Sequence, residues 1–252
     1  MQSSTIDIPT SDGVADVYLT RPSDGRPHPA VLLIMDAFGL RPRIEEMADR
    51  IARHGYVVLA PNVFYRAGRA PLMPIPDLTD PDARTSFFQS LRPLLDQLSP
   101  EALARDGGAY LDYLAEVAPG PVAITGYCMG GRVGWWIAAA HPDRVAALGI
   151  FHGGRVVTDA PDSPHLSASR LKAELYLAHA DDDPSMTAEQ IEALDRALDE
   201  AGVPHRTEVY EGARHGYTMS DTAAYNEAAA ERHFQELLAL LERTLATGTP
   251  VG

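Results

Sequence analysis

The residue best suited to covalent chemistry is Cys128, the only cysteine among 252 residues. It lies in the segment Gly126-Tyr127-Cys128-Met129-Gly130-Gly131, after the apolar run 122–125 and before a segment of helical composition. A strand, a sharp turn and a helix with a nucleophile at the apex form a nucleophile elbow. Such a turn strains the nucleophile's backbone and needs small residues two positions away, which Gly126 and Gly130 supply. The pattern therefore predicts Cys128 as a nucleophile rather than as a buried apolar side chain.

A cysteine nucleophile needs a base, because a free thiol has a pKa of about 8.5 and a helix N-terminus favours the thiolate by only about 0.3–1 kcal/mol. Among nine histidines, we select His215, since it lies in a glycine-bracketed loop after the last predicted strand. His152 and His179 also follow strands and are the alternatives. A carboxylate between Cys128 and His215 should orient the imidazole. Spacing alone does not choose within the run Asp181-Asp182-Asp183.

An oxyanion hole needs two N–H donors directed at the developing negative charge. The N–H of Met129 comes with the elbow, and its partner should follow the apolar strand 30–35, which selects Ala37. Asp36 stands directly before this second donor. An unpaired carboxylate there would favour the protonated form of the Cys128 thiol.

The elements that must position these residues alternate between strands and helices. This alternation predicts a mostly parallel sheet with helices on both faces and an N-terminal antiparallel hairpin. Ligands bind at the carboxyl ends of such strands, which is where the candidate residues would meet. A proline-bearing excursion, 62–82, and a proline-rich loop, 159–170, should pass over the surface. The predicted strands are 4–8, 14–19, 30–35, 56–60, 122–125, 145–151, 175–178 and 207–210. The predicted helices lie around 44–52, 83–98, 101–117, 132–140, around 191–201, and 221–245.

Composition restricts the possible partners and environment. A net charge of −14 and a pI near 4.9 argue against nucleic acids and anionic membranes as partners. No apolar run is long enough to cross a bilayer, no signal peptide is recognisable, and one cysteine permits no intrachain disulfide, so a cytoplasmic location is expected. No cluster has zinc-ligand spacing, so we expect neither a metal nor a cofactor. We expect one α/β domain over 1–252, frayed from about 247, that acts as a monomer or a homodimer.

Over nearly its whole length the chain resembles the dienelactone hydrolase family of α/β-hydrolases. The resemblance implies Cys128 as nucleophile, His215 as base and Asp183 as orienting carboxylate. It also implies hydrolysis of a small lactone or carboxylic ester through a thioester. The family's carboxylate that restrains the resting thiol would be Asp36, where glutamate is typical. The resemblance is carried by the elbow together with Met35-Asp36-Ala37-Phe38-Gly39, Ala60-Pro61-Asn62, Asp183-Pro184 and Gly212-Ala213-Arg214-His215-Gly216.

Substrate contacts are less well defined by the sequence. The best-known family members bind a substrate carboxylate through arginines, and the candidates here are Arg41, Arg43, Arg66, Arg69, Arg155 and Arg214. The candidates for lining an apolar pocket are Phe38, Tyr65, Tyr127 and Tyr217, with Arg214 at its edge. Two alternatives to the hydrolase are considered: a glutamine-amidotransferase or glyoxalase-like enzyme with a cysteine elbow, and a non-catalytic small-molecule-binding member of the fold. Tyr217, where the first would often have glutamate, argues against it.

Overall fold

A single sheet carries the functional edge of the molecule. The computed structural model describes residues 1–181 and 183–245. Asp182 and the predicted frayed tail therefore lie outside the described residues. The strands are β1 (Gln2–Thr10), β2 (Gly13–Arg21), β3 (Ala30–Ile34), β4 (Val57–Pro61), β5 (Val122–Tyr127), β6 (Val145–Phe151), β7 (Glu174–Ala180) and β8 (His205–Tyr210). The helices are α1 (Pro42–Arg53), α2 (Pro81–Leu95), α3 (Pro100–Val117), α4 (Met129–Ala140), α5 (Ala188–Ala201) and α6 (Glu227–Leu245).

The strand order across the sheet is β1-β2-β4-β3-β5-β6-β7-β8. Strand β2 pairs antiparallel with both β1 and β4, and all remaining pairs are parallel. This confirms the predicted mostly parallel sheet with an N-terminal antiparallel hairpin. Because β3, β5, β6 and β7 run parallel, their carboxyl ends meet at one edge.

Helices cover both faces of the sheet at β5. Gly126 faces α4, because a Cβ there would meet the carbonyl of Gly130. Its neighbour Tyr127 points to the opposite face and meets His233 of α6. Burial on both faces explains why β3, β4 and β5 are continuous apolar runs without alternation. None of the described helices is long and apolar enough to span a membrane.

The largest differences from the predicted elements lie at the start of helix α6 and in the loop 159–170. Helix α6 begins at Glu227 rather than near 221, because the Asn226 side chain accepts the N–H of Ala229 and the preceding residues form turns. Such side-chain capping is the chemistry that favours a helix start. The predicted loop 159–170 contains a short 3-10 helix, Pro164–Arg170.

Candidate active site

The elbow has the strained geometry that its glycines suggest. Cys128 has φ 53° and ψ −117°, a backbone conformation that non-glycine residues rarely adopt. A Cβ at Gly126 would lie 2.2 Å from the carbonyl oxygen of Gly130, and one at Gly130 would lie 2.4 Å from that of Ile34. Both glycines are therefore required by close backbone approach. The thiol stands at the N-terminus of α4 and is partly exposed.

The end of β6 holds the elbow in this conformation. The N–H of Cys128 donates to the carbonyl of Phe151 at 3.1 Å, and the N–H of Gly154 donates to the carbonyl of Cys128 at 3.2 Å. The same segment contains two further non-glycine residues with positive φ, His152 at 39° and Arg155 at 59°. Strain therefore concentrates on both sides of the nucleophile, as at many functional sites.

His215 lies between the nucleophile and a buried carboxylate. Its Nδ1 is 2.6 Å from Oδ2 of Asp183, which is 6% exposed. Burial by itself lowers the pKa of His215, but the charges and hydrogen bonds of Cys128 and Asp183 outweigh it and raise the pKa to about 10. Burial raises the pKa of Asp183, but His215 and Ser185 outweigh that effect and lower it. The site therefore favours an imidazolium next to Cys128.

Asp181 and Asp183, which belong to the same acidic run, bind different partners. Asp181 accepts the N–H of Gly212 at 2.9 Å through Oδ2 and so supports the loop that carries His215. Ser185, which sequence reasoning missed, donates its N–H and its hydroxyl to Oδ1 of Asp183 at 2.8 and 2.7 Å. Its hydroxyl is also 3.2 Å from Nδ1 of His215. A serine two residues after an aspartate signals a local turn, but it does not indicate a contact with His215.

The two alternative histidines are buried. His152 is 1% exposed, and its ring centroid lies 5.2 Å from that of His215. Burial and the charge of His215 hold the pKa of His152 well below its usual value. Burial likewise lowers the pKa of His179 to about 4 despite the opposing charges of Asp195 and Asp183. Both rings are therefore neutral near pH 7, and neither has the carboxylate contact of His215.

The expected oxyanion donors lie at the ends of adjacent strands. Ile34 of β3 is in register with Gly126 of β5, so the residues that follow each strand lie side by side. Met129 is the first residue of α4, and Ala37 is buried three residues after β3. Neither N–H has a hydrogen-bond acceptor within the part of the chain that the structure describes. Both donors are free to bind a developing negative charge.

Asp36 is not the unpaired carboxylate that the sequence suggested. Its Oδ1 accepts Nη1 of Arg41 at 2.6 Å, and its Oδ2 accepts Nη2 at 3.1 Å. Arg41 also binds Asp221, with Nε 2.6 Å from Oδ2. Sequence reasoning missed this pairing because it treated Arg41 as a substrate contact and did not consider Asp221, 180 positions further along the chain.

Most of the predicted pocket residues lie elsewhere. The hydroxyl of Tyr127 is 2.9 Å from Nε2 of His233, and that of Tyr217 donates to the carbonyl of Ala178; both side chains are completely buried. The Tyr65 hydroxyl donates to Asp106, away from the elbow. The prediction that these three tyrosines line the pocket is wrong for one reason. Each ring packs in the core, and its hydroxyl has a hydrogen-bond partner there. Arg214 is exposed.

Phe38 remains in place to line a pocket. It follows Ala37 and is only half-buried, and its ring stacks on Phe87 of α2 with centroids 6.0 Å apart. Beside it lies a small cavity of about 20 Å³, lined by residues that include Phe38, Phe64 and Met73. An apolar substrate group could contact this surface next to the oxyanion donors.

The candidate arginines divide into engaged and free side chains. Four form ion pairs or hydrogen bonds: Arg41, Arg43, Arg66 and Arg69. Arg155 forms no ion pair with any described residue. Neither does Arg132, which was not a candidate in the sequence analysis. Arg132 is half-buried on α4, its Nε has no hydrogen-bond partner, and burial and Arg155 lower its pKa against the opposing charge of Cys128. Arg132 thus places positive charge near Cys128, and Arg155 lies close enough to act on Arg132.

Within residues 1–181 and 183–245, no three histidine, cysteine or acidic side chains are grouped to hold a metal ion. The chemistry that this arrangement can perform is nucleophilic attack by a thiolate, with proton transfer by an imidazole and stabilisation of an oxyanion by two N–H groups.

Comparisons with known proteins show which proteins the chain resembles. The family model described as the dienelactone hydrolase family matches residues 15–245. A candidate carboxymethylenebutenolidase of Synechocystis sp. is 28% identical over 251 residues, covering 97% of this chain and 98% of that protein. The carboxymethylenebutenolidase of Rhodococcus opacus is 28% identical over 235 residues, covering 92% and 88%. A crystal structure of a candidate dienelactone hydrolase from Klebsiella pneumoniae has a TM-score of 0.83 at 24% identity, covering 96% of this chain and 98% of that one.

Proposed function

The chain belongs to the dienelactone hydrolase family, and from this premise we propose that it hydrolyses a small carboxylic ester or lactone through a thioester on Cys128. The observation that carries the proposal is the contact between His215 and Asp183, 2.6 Å from Nδ1 to Oδ2, beside a cysteine on a strained elbow. A nucleophile, a base and a group that orients the base are the three parts of covalent acyl transfer.

The reaction proceeds in two balanced halves. In the first, His215 holds the proton of the Cys128 thiol, as its raised pKa favours, and Sγ of Cys128 attacks the carbonyl carbon. The N–H groups of Met129 and Ala37 bind the resulting oxyanion. The C–O bond then breaks, the leaving alkoxide takes the proton from His215, and a thioester remains. In a lactone this alkoxide stays tethered to the acyl group.

The second half regenerates the enzyme. Water gives a proton to His215 and attacks the thioester carbonyl, and the oxyanion is held by the same two donors. The C–S bond breaks, the acid is released, and the Cys128–His215 pair returns to its starting state. Asp183 stabilises the imidazolium in both halves because its charge lies against Nδ1.

The substrate proposed carries an acidic group. Arg132 and Arg155, which form no ion pair with a described residue, supply positive charge near the nucleophile in a chain whose net charge is −14. A carboxylate bound by guanidinium groups would orient the acyl group toward Cys128. The name of the Rhodococcus opacus relative, carboxymethylenebutenolidase, denotes a lactone with such a group.

Turnover of chromogenic short-chain esters tests the proposal. We expect wild-type hydrolysis to fall by about 10⁴-fold or more in Cys128→Ala and His215→Ala, because the two residues act as a unit. His54→Ala changes an exposed histidine outside the site and serves as the matched control. Acyl-enzyme trapped at Cys128 should be seen by mass spectrometry. Equal slow hydrolysis by wild type and both variants would show that the site does not turn over esters, and indifference to a substrate carboxylate would exclude the acidic substrate.

A further inference from the structure

His152 lies where the segments that carry the nucleophile and the orienting carboxylate meet. It directly follows β6, is 1% exposed and has a positive φ of 39°. Its N–H donates to the carbonyl of Ala178 at 2.8 Å, on the strand that leads to Asp183. The carbonyl of the preceding residue, Phe151, accepts the N–H of Cys128 at 3.1 Å. The backbone around His152 therefore connects the elbow to the strand before Asp183.

The side chain of His152 contacts the third segment, which carries the base. Its ring centroid lies 5.2 Å from that of His215, with the two ring planes at 68°. Its Nε2 lies 2.8 Å from Oγ1 of Thr218, in the same loop as His215. It also meets the ring of Tyr217 at 79°, with centroids 4.9 Å apart. The ring of His152 thus packs on the imidazole of the base and is itself held by the residues that follow the base.

The ring of His152 suits this place because it carries no charge near neutral pH. Burial and the charge of His215 hold the pKa of His152 well below its usual value. The pKa of His215 is raised to about 10, so this imidazole is protonated near pH 7. A neutral aromatic ring can pack against a neighbouring cation, whereas a second imidazolium at this distance would repel it. His152 therefore contacts the base without opposing its charge.

A second buried histidine shows that burial alone does not produce these contacts. His179 of β7 is also 1% exposed, and burial lowers its pKa to about 4. Neither of its ring nitrogens has a hydrogen-bond partner among the described residues. Its ring packs on no other aromatic or histidine ring of the described part of the chain, His215 included. The two histidines thus share residue type and burial and differ in their contact with the base.

We propose that His152 is a positioning residue, whose ring holds the imidazole of His215 at the angle that proton transfer with Cys128 requires. The inference rests on the proposed function, since it assumes that His215 is the base. Asp183 fixes one edge of the imidazole, at Nδ1, but a ring held at one edge can still tilt about that contact. The ring of His152 blocks this tilt. Alignment matters because a displacement of about 1 Å can lower a rate by about 100-fold.

Kinetics on a chromogenic short-chain ester test this role. His152→Asn removes the ring, tolerates a positive φ and keeps a polar group for Thr218. We expect it to lower kcat about 10–100-fold and to leave KM within about threefold, because the lost contact orients the base and does not bind the substrate. His152→Phe keeps a neutral ring and should restore kcat to within about fivefold of wild type. His179→Ala is the matched control and should stay within about threefold.

The proton NMR signal of the Nδ1–H of His215 is a second readout that needs no substrate. A proton donated to a carboxylate resonates at low field and exchanges slowly while the contact is held, and Asp183→Asn identifies the signal by removing it. We expect the signal to persist at pH 7 in wild type, His152→Phe and His179→Ala. It should broaden or disappear in His152→Asn, because a ring that tilts exposes this proton to water.

Several outcomes would overturn the proposal. An unchanged signal in folded His152→Asn would do so whatever its kcat, and so would a wild-type kcat in that variant. A loss in His152→Phe as large as in His152→Asn would mean that the ring nitrogen, rather than the ring, is needed. An equal loss in His179→Ala would reduce the effect to a general one of core packing. If His152→Asn fails to fold, His152→Gly, which relieves the positive φ, takes its place.

The two readouts separate this proposal from the proposed function. A signal that follows the His152 series in a protein that hydrolyses no ester would remove the proposed function and leave the positioning of His215 by His152 intact. Ester turnover that depends on Cys128 and His215, in a series whose signal does not follow His152, would support the proposed function and overturn the positioning role.

Discussion

Two buried carboxylates near Cys128 make contacts of the same length with partners of different chemistry. Asp183 Oδ2 lies 2.6 Å from Nδ1 of His215, and Asp36 Oδ1 lies 2.6 Å from Nη1 of Arg41. The imidazole of His215, whose pKa is raised to about 10, can take up and release a proton, whereas the guanidinium of Arg41 stays protonated. The first pair can therefore move protons, and the second can only hold a charge in place. The comparison shows that the partner, rather than the carboxylate, decides what a buried acid can do.

The largest expected effect comes from weakening the pair that moves protons. Asp183→Asn should lower kcat/KM by about 10³–10⁴-fold, because the neutral amide neither fixes the imidazole tautomer nor stabilises the imidazolium. Asp181→Asn is the matched control, since Asp181 holds only the N–H of Gly212. It should lose less than about tenfold, measured with the same ester. A greater loss at position 181 than at 183 would mean that the orienting role belongs to Asp181.

The elbow shows what local sequence can specify. Gly126 and Gly130 were predicted as small neighbours of a strained residue, and the 2.2 Å and 2.4 Å approaches give the reason. The mostly parallel sheet followed from the alternation of elements, which depends on local periodicity. Tyr127 was predicted to line a pocket, although local sequence could have shown that it points away from the elbow. Side chains alternate along a strand, so the neighbour of Gly126, which faces α4, must point to the other face.

Long-range pairing was beyond the sequence. Arg41 was considered for substrate binding, but its partners are Asp36 and a carboxylate 180 positions away. Arg132 and Ser185 were missed for the same reason, because their roles depend on loops that only the folded sheet brings together. Asp183 was selected through family resemblance rather than spacing, and the structure places it against His215.

The His215–Asp183 pair and the Arg41–Asp36 pair should also differ in how their contributions to stability depend on pH. The pKa of His215 is raised to about 10 in the folded state, so its contribution to stability is complete below about pH 6.5 and is lost as pH rises through about 10. The difference in unfolding free energy between wild type and His215→Asn, from urea titrations, should therefore shrink over that range. The difference for Arg41→Met should stay flat, because the guanidinium of Arg41 stays protonated over that range.

The cysteine provides a control within the same titration. Cys128 contributes to the raised pKa of His215, so in a Cys128→Ala background the difference should shrink at a lower pH. An unchanged midpoint would mean that the charge on His215 is stabilised by Asp183 alone. Loss of the pH dependence in both backgrounds would mean that the histidine pair behaves like the arginine pair.

The smallest expected effect comes from removing the Ser185 hydroxyl, which binds Asp183. Ser185 gives Oδ1 two hydrogen bonds and leaves Oδ2 for His215, whereas both oxygens of Asp36 go to one guanidinium. Ser185→Ala removes the hydroxyl donor but keeps the backbone N–H. The loss of one hydrogen bond to a charged acceptor, about 1.5–3 kcal/mol at most, should lower kcat/KM about tenfold. A hydroxyl that only fills space would be replaced without loss by alanine. If the hydroxyl orients the carboxylate, Ser185→Thr should have the kcat and KM of wild type. Threonine keeps a hydroxyl donor for Oδ1 and so leaves Oδ2 of Asp183 for the imidazole.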